Sequence, residues 1–256
     1  MKKVLILNYH LIADSSEACD ALGDIYRIER EAFEKQIAYI KKAKIPVVSL
    51  NDILENNLQE ELSLALTFDD GNTSDYEIVY PILKQYGFTA TFFLCIDNFK
   101  KNNLAWEKYI ELSNNGFEIG SHGISHADLS TLSTEKARSE LVDSKLILEK
   151  QIHKQIDFFS FPYGKYTLTL RENAREKGYK AVLSTEFNYN YPSEESFLLH
   201  RITVKNNTAF STFTAIIDGD EKTIQKLIVR SKIKQRIIRV FGTKIINALN
   251  ILKSKF

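Results

Sequence analysis

Two short stretches of the chain carry side chains that could perform hydrolytic chemistry. Asp69 and Asp70 stand side by side at the end of the apolar run 64–68. His122 and His126 are four residues apart, which would place their imidazoles one helical turn from each other, so that one cation could bind both. If Asp70 lies beside this pair, the three side chains form a metal site, with Asp69 next to it.

The donor set of this predicted site indicates its chemistry. Two imidazole nitrogens and one carboxylate suit Zn²⁺ with an open coordination position, and Co²⁺, Ni²⁺ and Fe²⁺ also accept them. Such a cation lowers the pKa of a coordinated water toward ~7 and polarises a carbonyl oxygen. Asp70 would be the ligand and Asp69 the base, because coordination lowers the basicity of a carboxylate. The alternative for these residues is an acidic turn and a pair of surface histidines.

Strand patterns and helix patterns alternate along the chain and must position these residues. Apolar runs rich in β-branched and aromatic residues predict the strands. The predicted strands cover residues 4–9, 47–50, 64–68, 89–95, 117–120, 158–161, 181–185 and 197–204. The alternation predicts parallel βαβ units, and about seven of them closing on themselves would form an irregular, TIM-like (β/α) barrel. Residues 11–29 are polar and are predicted to form a loop near His10.

Polar residues stand just after several of these strands. They are His10, Asp69, Asp70, His122 and Tyr163. In a (β/α) barrel the carboxyl ends of the strands meet at one rim, where catalytic residues collect. We therefore expect these residues to line one site, in which the backbone N–H of Tyr163, on a rigid turn, could bind an oxyanion. The same turn sequence is also common without any such role.

These motifs resemble those of the polysaccharide deacetylase (NodB homology) family, carbohydrate esterase family 4. The resemblance covers residues 4–205 and rests mainly on three segments. They are Thr67-Phe68-Asp69-Asp70-Gly71, Ser121-His122-Gly123-Ile124-Ser125-His126 and Phe161-Pro162-Tyr163-Gly164. Membership would imply a metal-dependent hydrolase on a (β/α) barrel that removes N-acetyl groups from a sugar.

The resemblance also implies a role for each motif residue. Asp69 would be the base that activates a metal-bound water. The metal ligands would be Asp70, His122 and His126. Tyr163, which follows Pro162 in the same turn, would flank the sugar and supply the oxyanion-binding N–H.

Two features depart from the family pattern. The third motif usually begins with an Arg that pairs with the base, and Ser160 stands near that place, so Arg201 from the last strand is a candidate replacement. Leu198-Leu199-His200 resembles the final motif, which makes His200 the candidate catalytic acid, with His10 as the alternative acid or a pocket-lining residue. Adjacent strand residues face opposite ways, so we do not expect His200 and Arg201 both to enter the pocket.

The end of the chain differs in charge from the rest. Ten Lys or Arg and no Asp or Glu occur from Lys222 onward, whereas the first 221 residues carry 24 basic and 33 acidic residues. We predict a barrel domain over residues 1–220 and a basic, amphipathic helical tail over residues 221–256. Such a tail could lie on an anionic membrane or pack on the barrel with its charges solvated. The acidic body argues against nucleic acid as a partner.

The chain has no run of transmembrane length, no signal-peptide pattern and only two cysteines, so we expect a cytoplasmic protein, with the inner membrane face as a further location. The sequence therefore predicts a metal-dependent hydrolase that removes N-acetyl groups from a polysaccharide or lipid-linked saccharide. Two alternatives remain open. One is a non-catalytic glycan- or membrane-binding barrel, and the other is an O-deacetylase or deformylase that uses the same site.

Overall fold

Eight parallel strands form one sheet in the computed structural model of the chain, which describes residues 1–14, 24–192 and 197–241. The strands, in chain order, are β1 (Lys3–Tyr9), β2 (Leu11–Ala13), β3 (Arg27–Glu29), β4 (Leu62–Phe68), β5 (Thr91–Leu94), β6 (Glu118–Ser121), β7 (Phe158–Ser160), β8 (Ala181–Leu183), β9 (Leu198–Leu199) and β10 (Arg201–Thr203). Eight of these strands form the sheet, in the order β10-β1-β4-β5-β6-β7-β8-β9, and β2 and β3 form a separate pair. The predicted strand at residues 47–50 is reduced to a single bridge between Val47 and Leu64.

The last predicted strand closes the barrel. β9 pairs with β8 and β10 pairs with β1, so one extended segment joins the two edges of the sheet. The segment is interrupted at His200, whose backbone N–H donates to the side-chain oxygen of Asn190 (2.7 Å) while its carbonyl accepts from the amide of Asn190 (2.8 Å). Counting β9 and β10 as one strand gives a seven-stranded (β/α) barrel, which confirms the predicted fold class.

Helices surround the sheet on its outer side, except the short helix over residues 50–54, whose Leu50 and Ile53 pack into the cluster inside the barrel. They are α1 (Arg30–Ala43), α2 (Leu50–Leu54), α3 (Tyr80–Tyr86), α4 (Ile96–Lys101), α5 (Trp106–Asn114), α6 (Thr134–Ile152), α7 (Leu168–Glu176), α8 (Phe210–Ile217) and α9 (Glu221–Phe241). The strand period of two assigns alternate residues to the two faces. Leu5 and Leu7 of β1 pack in the outer core under the helices, whereas Val4 and Ile6 belong to a second cluster inside the barrel. Apolar side chains thus fill the amino-terminal half of the interior.

The two ends of segment 11–29, which was predicted to be a loop, form short strands instead. β2 and β3 form a short parallel ladder, in which Ile12 and Ile28 are buried. These apolar side chains make the ladder favourable in spite of the polar residues between them. Residues 15–23 lie outside the described residues.

The predicted tail begins with a helix. α9 starts at Glu221, the predicted boundary, and its Ile224 and Ile228 are buried. The two-part division itself stays a prediction, and residues 242–256 lie outside the described residues. Among the described helices, none combines the length and the hydropathy that crossing a bilayer requires.

Candidate active site

The backbone after β4 turns two adjacent carboxylates toward one site. Thr67 and Asp69 continue the inward register of the strand, so Asp69 reaches the barrel interior by simple alternation. Asp70 would then face outward, but its φ of +85° breaks the strand, and Gly71 follows with a φ of +74°. A left-handed conformation at a non-glycine residue is unfavourable and is typical of functional sites. The turn places Asp70 beside the two histidines.

Asp70, His122 and His126 form a compact group of potential metal ligands. Nε2 of His126 lies 3.2 Å and Nε2 of His122 lies 3.5 Å from Oδ1 of Asp70. One ligand atom from each residue lies within 4.8 Å of the others. Oδ1 of Asp70 is buried and has no hydrogen bond within the described part of the chain. A buried carboxylate oxygen without a donor, facing two imidazole nitrogens, fits a divalent cation at their centre.

The tautomer of His122 also fits a metal ligand. Its Nδ1 lies 2.7 Å from the carbonyl oxygen of Ser160. Because a carbonyl can only accept, Nδ1 carries the proton and Nε2 presents a lone pair to Asp70. Burial lowers the pKa of His122, which favours this neutral form.

The segment between the histidines is a loop rather than the helical turn that their spacing suggested. Gly123 and His126 both have positive φ, +82° and +57°. Glu140 of α6 holds this loop, because its Oε2 accepts from the backbone N–H groups of Ile124 (2.6 Å) and Ser125 (3.1 Å). A positive φ at position 123 strains any residue other than glycine, and a Cβ there would also lie 2.8 Å from the same oxygen and displace it. Glu140 was not among the predicted residues, since nothing in the local sequence links it to the histidines.

Asp69 is buried and held by four hydrogen bonds. Nη1 and Nη2 of Arg201 donate to its Oδ1 and Oδ2 at 2.8 Å each, and Asn8 and Ser160 donate to Oδ2 at 3.2 Å each. Burial alone would raise the pKa of Asp69, but the positive charge and the hydrogen bonds of Arg201 outweigh it and hold the pKa well below its usual range. The carboxylate is therefore ionised and fixed in orientation.

Arg201 lies behind Asp69 rather than at the surface of the site. Its side chain is fully buried against Asp69, so it does not line the surface that a substrate would contact. This contact is the one expected of a replacement for the third-motif Arg, and that role stays a prediction. Its guanidinium also donates to Ser160 Oγ (2.7 Å), Asn8 Oδ1 (3.0 Å) and Thr67 Oγ1 (3.2 Å), so the serine at position 160 serves as an acceptor for the arginine.

His200 is directed away from this group. It lines a cavity on the outer side of the barrel together with residues of α9, including Lys232 and Arg236. Strand alternation explains this placement, because Arg201 uses the inward position of the closing segment. The structure does not bring His200 to the candidate site, which contradicts its prediction as the catalytic acid.

His10 lies on the same rim as the two carboxylates. It directly follows Tyr9 of β1, which pairs with Phe68 of β4, so His10 and Asp69 leave the sheet side by side. Its ring contacts that of Tyr26 at a centroid distance of 4.7 Å, and its buried Nδ1 has no hydrogen bond among the described residues. Tyr26, 37% exposed, was missed because it falls in the segment predicted as a polar loop.

Tyr163 forms the opposite side of the site. Its ring is 59% exposed and lies 4.8 Å from the ring of His126, measured between centroids. Its φ of +61° departs from the helical turn that contains it, whereas Pro162 in the same turn is buried. A Cβ at Gly164 would lie 2.1 Å from Thr185, so only glycine fits after Tyr163. The turn thus presents the Tyr163 side chain to solvent beside the histidines.

A buried acid that sequence analysis missed supports the Asp69-Asp70 turn from behind. Oδ2 of Asp75 accepts from the backbone N–H of Asn72 (3.0 Å) and from the hydroxyl of Tyr109 (3.1 Å). The amide of Asn72 in turn donates to the carbonyl of Asp69 (3.2 Å). Burial raises the pKa of Asp75 to about 8, so this carboxyl is protonated at neutral pH.

Comparison with known proteins agrees with this geometry. Residues 57–182 match the family model described as polysaccharide deacetylase. YxkH of Bacillus subtilis is 28% identical over 222 residues, which cover 85% of this chain and 77% of that protein. The peptidoglycan-N-acetylglucosamine deacetylase of Bacillus cereus is 27% identical over 200 residues, which cover 76% of this chain and 90% of that protein.

A solved structure extends the likeness to three dimensions. The Streptococcus pyogenes deacetylase PplD, in complex with acetate, matches with a TM-score of 0.71 at 26% identity, over 81% of this chain and 94% of that one. The three candidate metal ligands, Asp69 and Tyr163 fall inside the segment matched by the family model, whereas His10 and Arg201 fall outside it. Residues 57–182 therefore match the polysaccharide deacetylase family, and the fold of the chain resembles that of a solved deacetylase.

Proposed function

We propose that the chain is a metal-dependent hydrolase that removes N-acetyl groups from the sugars of a glycan. One observation carries this proposal: Asp70, His122 and His126 converge at the barrel rim beside Asp69, a buried and ionised carboxylate. Asp70, His122 and His126 would hold a divalent cation, for which Zn²⁺ fits the donor set best and Co²⁺, Ni²⁺ and Fe²⁺ are alternatives. When bound, such a cation acidifies water and polarises an amide carbonyl.

Asp69 is the general base in this proposal. It takes a proton from the attacking water, which adds to the carbonyl carbon of the acetamido group. Arg201 contributes by holding both oxygens of Asp69 in one orientation and by keeping the carboxylate ionised. The same pairing limits the basicity of Asp69, so its proton uptake would be aided by the acidification of water that a bound cation would supply.

Tyr163 and His10 act on opposite sides of the same intermediate. The backbone N–H of Tyr163 binds the oxyanion that develops from the carbonyl. His10 donates a proton to the leaving amine, since it follows β1 beside the Asp69 end of β4, while His200 faces the outside of the barrel. Carbon–nitrogen cleavage then releases acetate and a free amino sugar.

The substrate class follows from the shape of the rim and from the relatives. The named Bacillus cereus relative is a deacetylase of N-acetylglucosamine in peptidoglycan. On this chain the exposed ring of Tyr163 beside His126 offers a flat apolar surface for a pyranose face. We infer an N-acetylated hexosamine within a polysaccharide or a lipid-linked saccharide.

The test combines metal analysis with acetate release from a panel of N-acetylated glycans. We expect about one divalent ion per chain and release of acetate that stops on chelation and returns with Zn²⁺. Asp69→Asn should keep the metal and lose turnover by about 10²–10⁴-fold, the usual contribution of a general base, whereas His122→Ala should lose both. Turnover that survives Asp69→Asn would remove Asp69 from the base role.

Parallel assays address the alternatives. O-acetylated and N-formylated sugars in the same assay would identify an O-deacetylase or a deformylase by their faster turnover. Metal-loaded protein that binds glycan without releasing any acyl group would favour the non-catalytic barrel.

We also propose that α9 lies against an anionic membrane surface. Val229 and Ile233 are 53% and 52% exposed and stand one turn apart on this helix. Basic residues flank them, among them Lys226, Arg230 and Lys232. Exposed apolar side chains framed by cations are typical of helices that bind the lipid interface.

A further inference from the structure

A second cavity lies on the outer side of the barrel, between the break in the closing strand and α9. Its volume is about 460 Å³. His200 enters it from the break, and Lys232 and Arg236 enter it from α9. Because His200 faces opposite to Arg201, this cavity is separate from the candidate active site.

The groups that face this cavity favour an anion. Lys232 and Arg236 contribute two positive charges, and Glu186 is the one acid among the described residues that line it. Nδ1 of His200 is buried and has no hydrogen bond within the described ranges. A buried ring nitrogen without a partner is costly, and a ligand that hydrogen-bonds to it would remove that cost.

The cavity also has an apolar edge. Val229 and Ile233, the exposed pair on α9, belong to its lining. A small inorganic ion would make no use of these side chains. A ligand that joins an anionic group to hydrocarbon would contact the cations and the apolar edge together.

We propose that this cavity binds the phosphate of an anionic phospholipid, with Lys232, Arg236 and His200 around the phosphate and Val229 and Ile233 against the acyl region. The inference rests on the proposed membrane contact of α9 and adds a specific headgroup site to it. It is independent of the deacetylase chemistry, since none of these residues touches the Asp70 group.

Vesicle co-sedimentation of the full chain tests the proposal. Phosphatidylglycerol vesicles are compared with phosphatidylcholine vesicles, and Lys232→Gln/Arg236→Gln is compared with Lys222→Gln/Lys226→Gln. The second pair removes the same charge from exposed positions of the same helix that do not line the cavity. We expect the cavity pair to lose at least fivefold more affinity for phosphatidylglycerol than the control pair.

Comparison of the two double variants distinguishes lipid binding in the cavity from lipid binding along the whole of α9. Equal losses in the two double variants would overturn the headgroup site and leave a non-specific contact of α9 with the membrane. No preference of the unaltered chain for phosphatidylglycerol would overturn both the site and the membrane contact, while acetate release would be unaffected.

An NMR titration distinguishes the binding of lipid phosphate from the binding of free phosphate. An anion beside His200 favours its charged imidazole, so we expect the His200 ring signals in the NMR spectrum to shift saturably with a short-chain phosphatidylglycerol. His200→Gln assigns those signals. If the His200 ring signals shift with inorganic phosphate or glycerol phosphate but not with the short-chain lipid, the assignment of the cavity to a lipid is wrong.

Discussion

Arg201 and Asp69 form a two-bonded ion pair across the barrel. Two guanidinium nitrogens lie 2.8 Å from the two carboxylate oxygens, although the residues are 132 positions apart. Ser160 contacts both partners, since its hydroxyl donates to Asp69 and accepts from Arg201. Position 160 can therefore hold a neutral residue, because Arg201 of β10 supplies the positive charge that pairs with Asp69.

Replacing Arg201 should damage both the fold and the proposed chemistry. Arg201→Met leaves a buried, unpaired carboxylate, so we expect a loss of about 3–5 kcal/mol in the free energy of unfolding. Arg201→Lys keeps the charge but cannot make the two-bonded contact and should give an intermediate loss. Urea unfolding measures both variants. Arg30→Met, which breaks an exposed ion pair with Glu34, is the control and should cost less than about 1 kcal/mol.

The position of the proposed acid can be tested by comparing two histidines. His10→Gln should lower kcat by about 10²-fold or more, because the leaving amine loses its proton donor. The loss should exceed that of His200→Gln by at least tenfold, since His200 faces a different cavity. Steady-state acetate release with a defined N-acetylglucosamine oligomer measures both. A larger loss in His200→Gln would restore His200 as the acid.

Glu140 should control metal affinity without touching the metal ligands. Its carboxylate fixes two backbone N–H groups of the loop that carries His126. Glu140→Gln replaces one accepting oxygen by a donor, so we expect metal affinity to fall by about 10–100-fold. Competition with a chromophoric chelator measures the change. Glu135→Gln, at an exposed position of the same helix, should leave the affinity as it was.

Asp75 should make stability fall as pH rises. Burial raises its pKa to about 8 in the folded chain, against about 3.9 when unfolded, so the folded state retains a proton that the unfolded state loses. The contribution is complete below pH 4 and disappears as pH rises through about 8. Asp75→Asn has no titrating group at this position. Its free energy of unfolding, relative to that of the unaltered chain, should therefore increase as the pH is raised from 5 to 8.5. Urea unfolding at several pH values measures this; a constant difference would contradict a protonated Asp75.

The class of fold could be predicted from the residue pattern alone, and so could a set of candidate residues for the site. Alternating strand and helix patterns lead to parallel strands, and parallel strands bring their carboxyl ends to one rim. Residues placed just after those strands, such as Asp69, Asp70 and His122, are therefore expected at the same rim of the barrel.

Pairing between distant strands, which a local pattern does not reveal, selects which of two adjacent residues enters the barrel. His200 and Arg201 are equally plausible from their types, and their orientation depends on how the closing segment pairs with β8 and β1. That register places Arg201 inward against Asp69 and His200 outward against α9. The backbone turn at Asp70 is a similar case, because its positive φ depends on contacts that Asn72 and Asp75 make around it. Local sequence carries the periodicity of a strand, but the face that becomes the interior is chosen by pairing between distant strands.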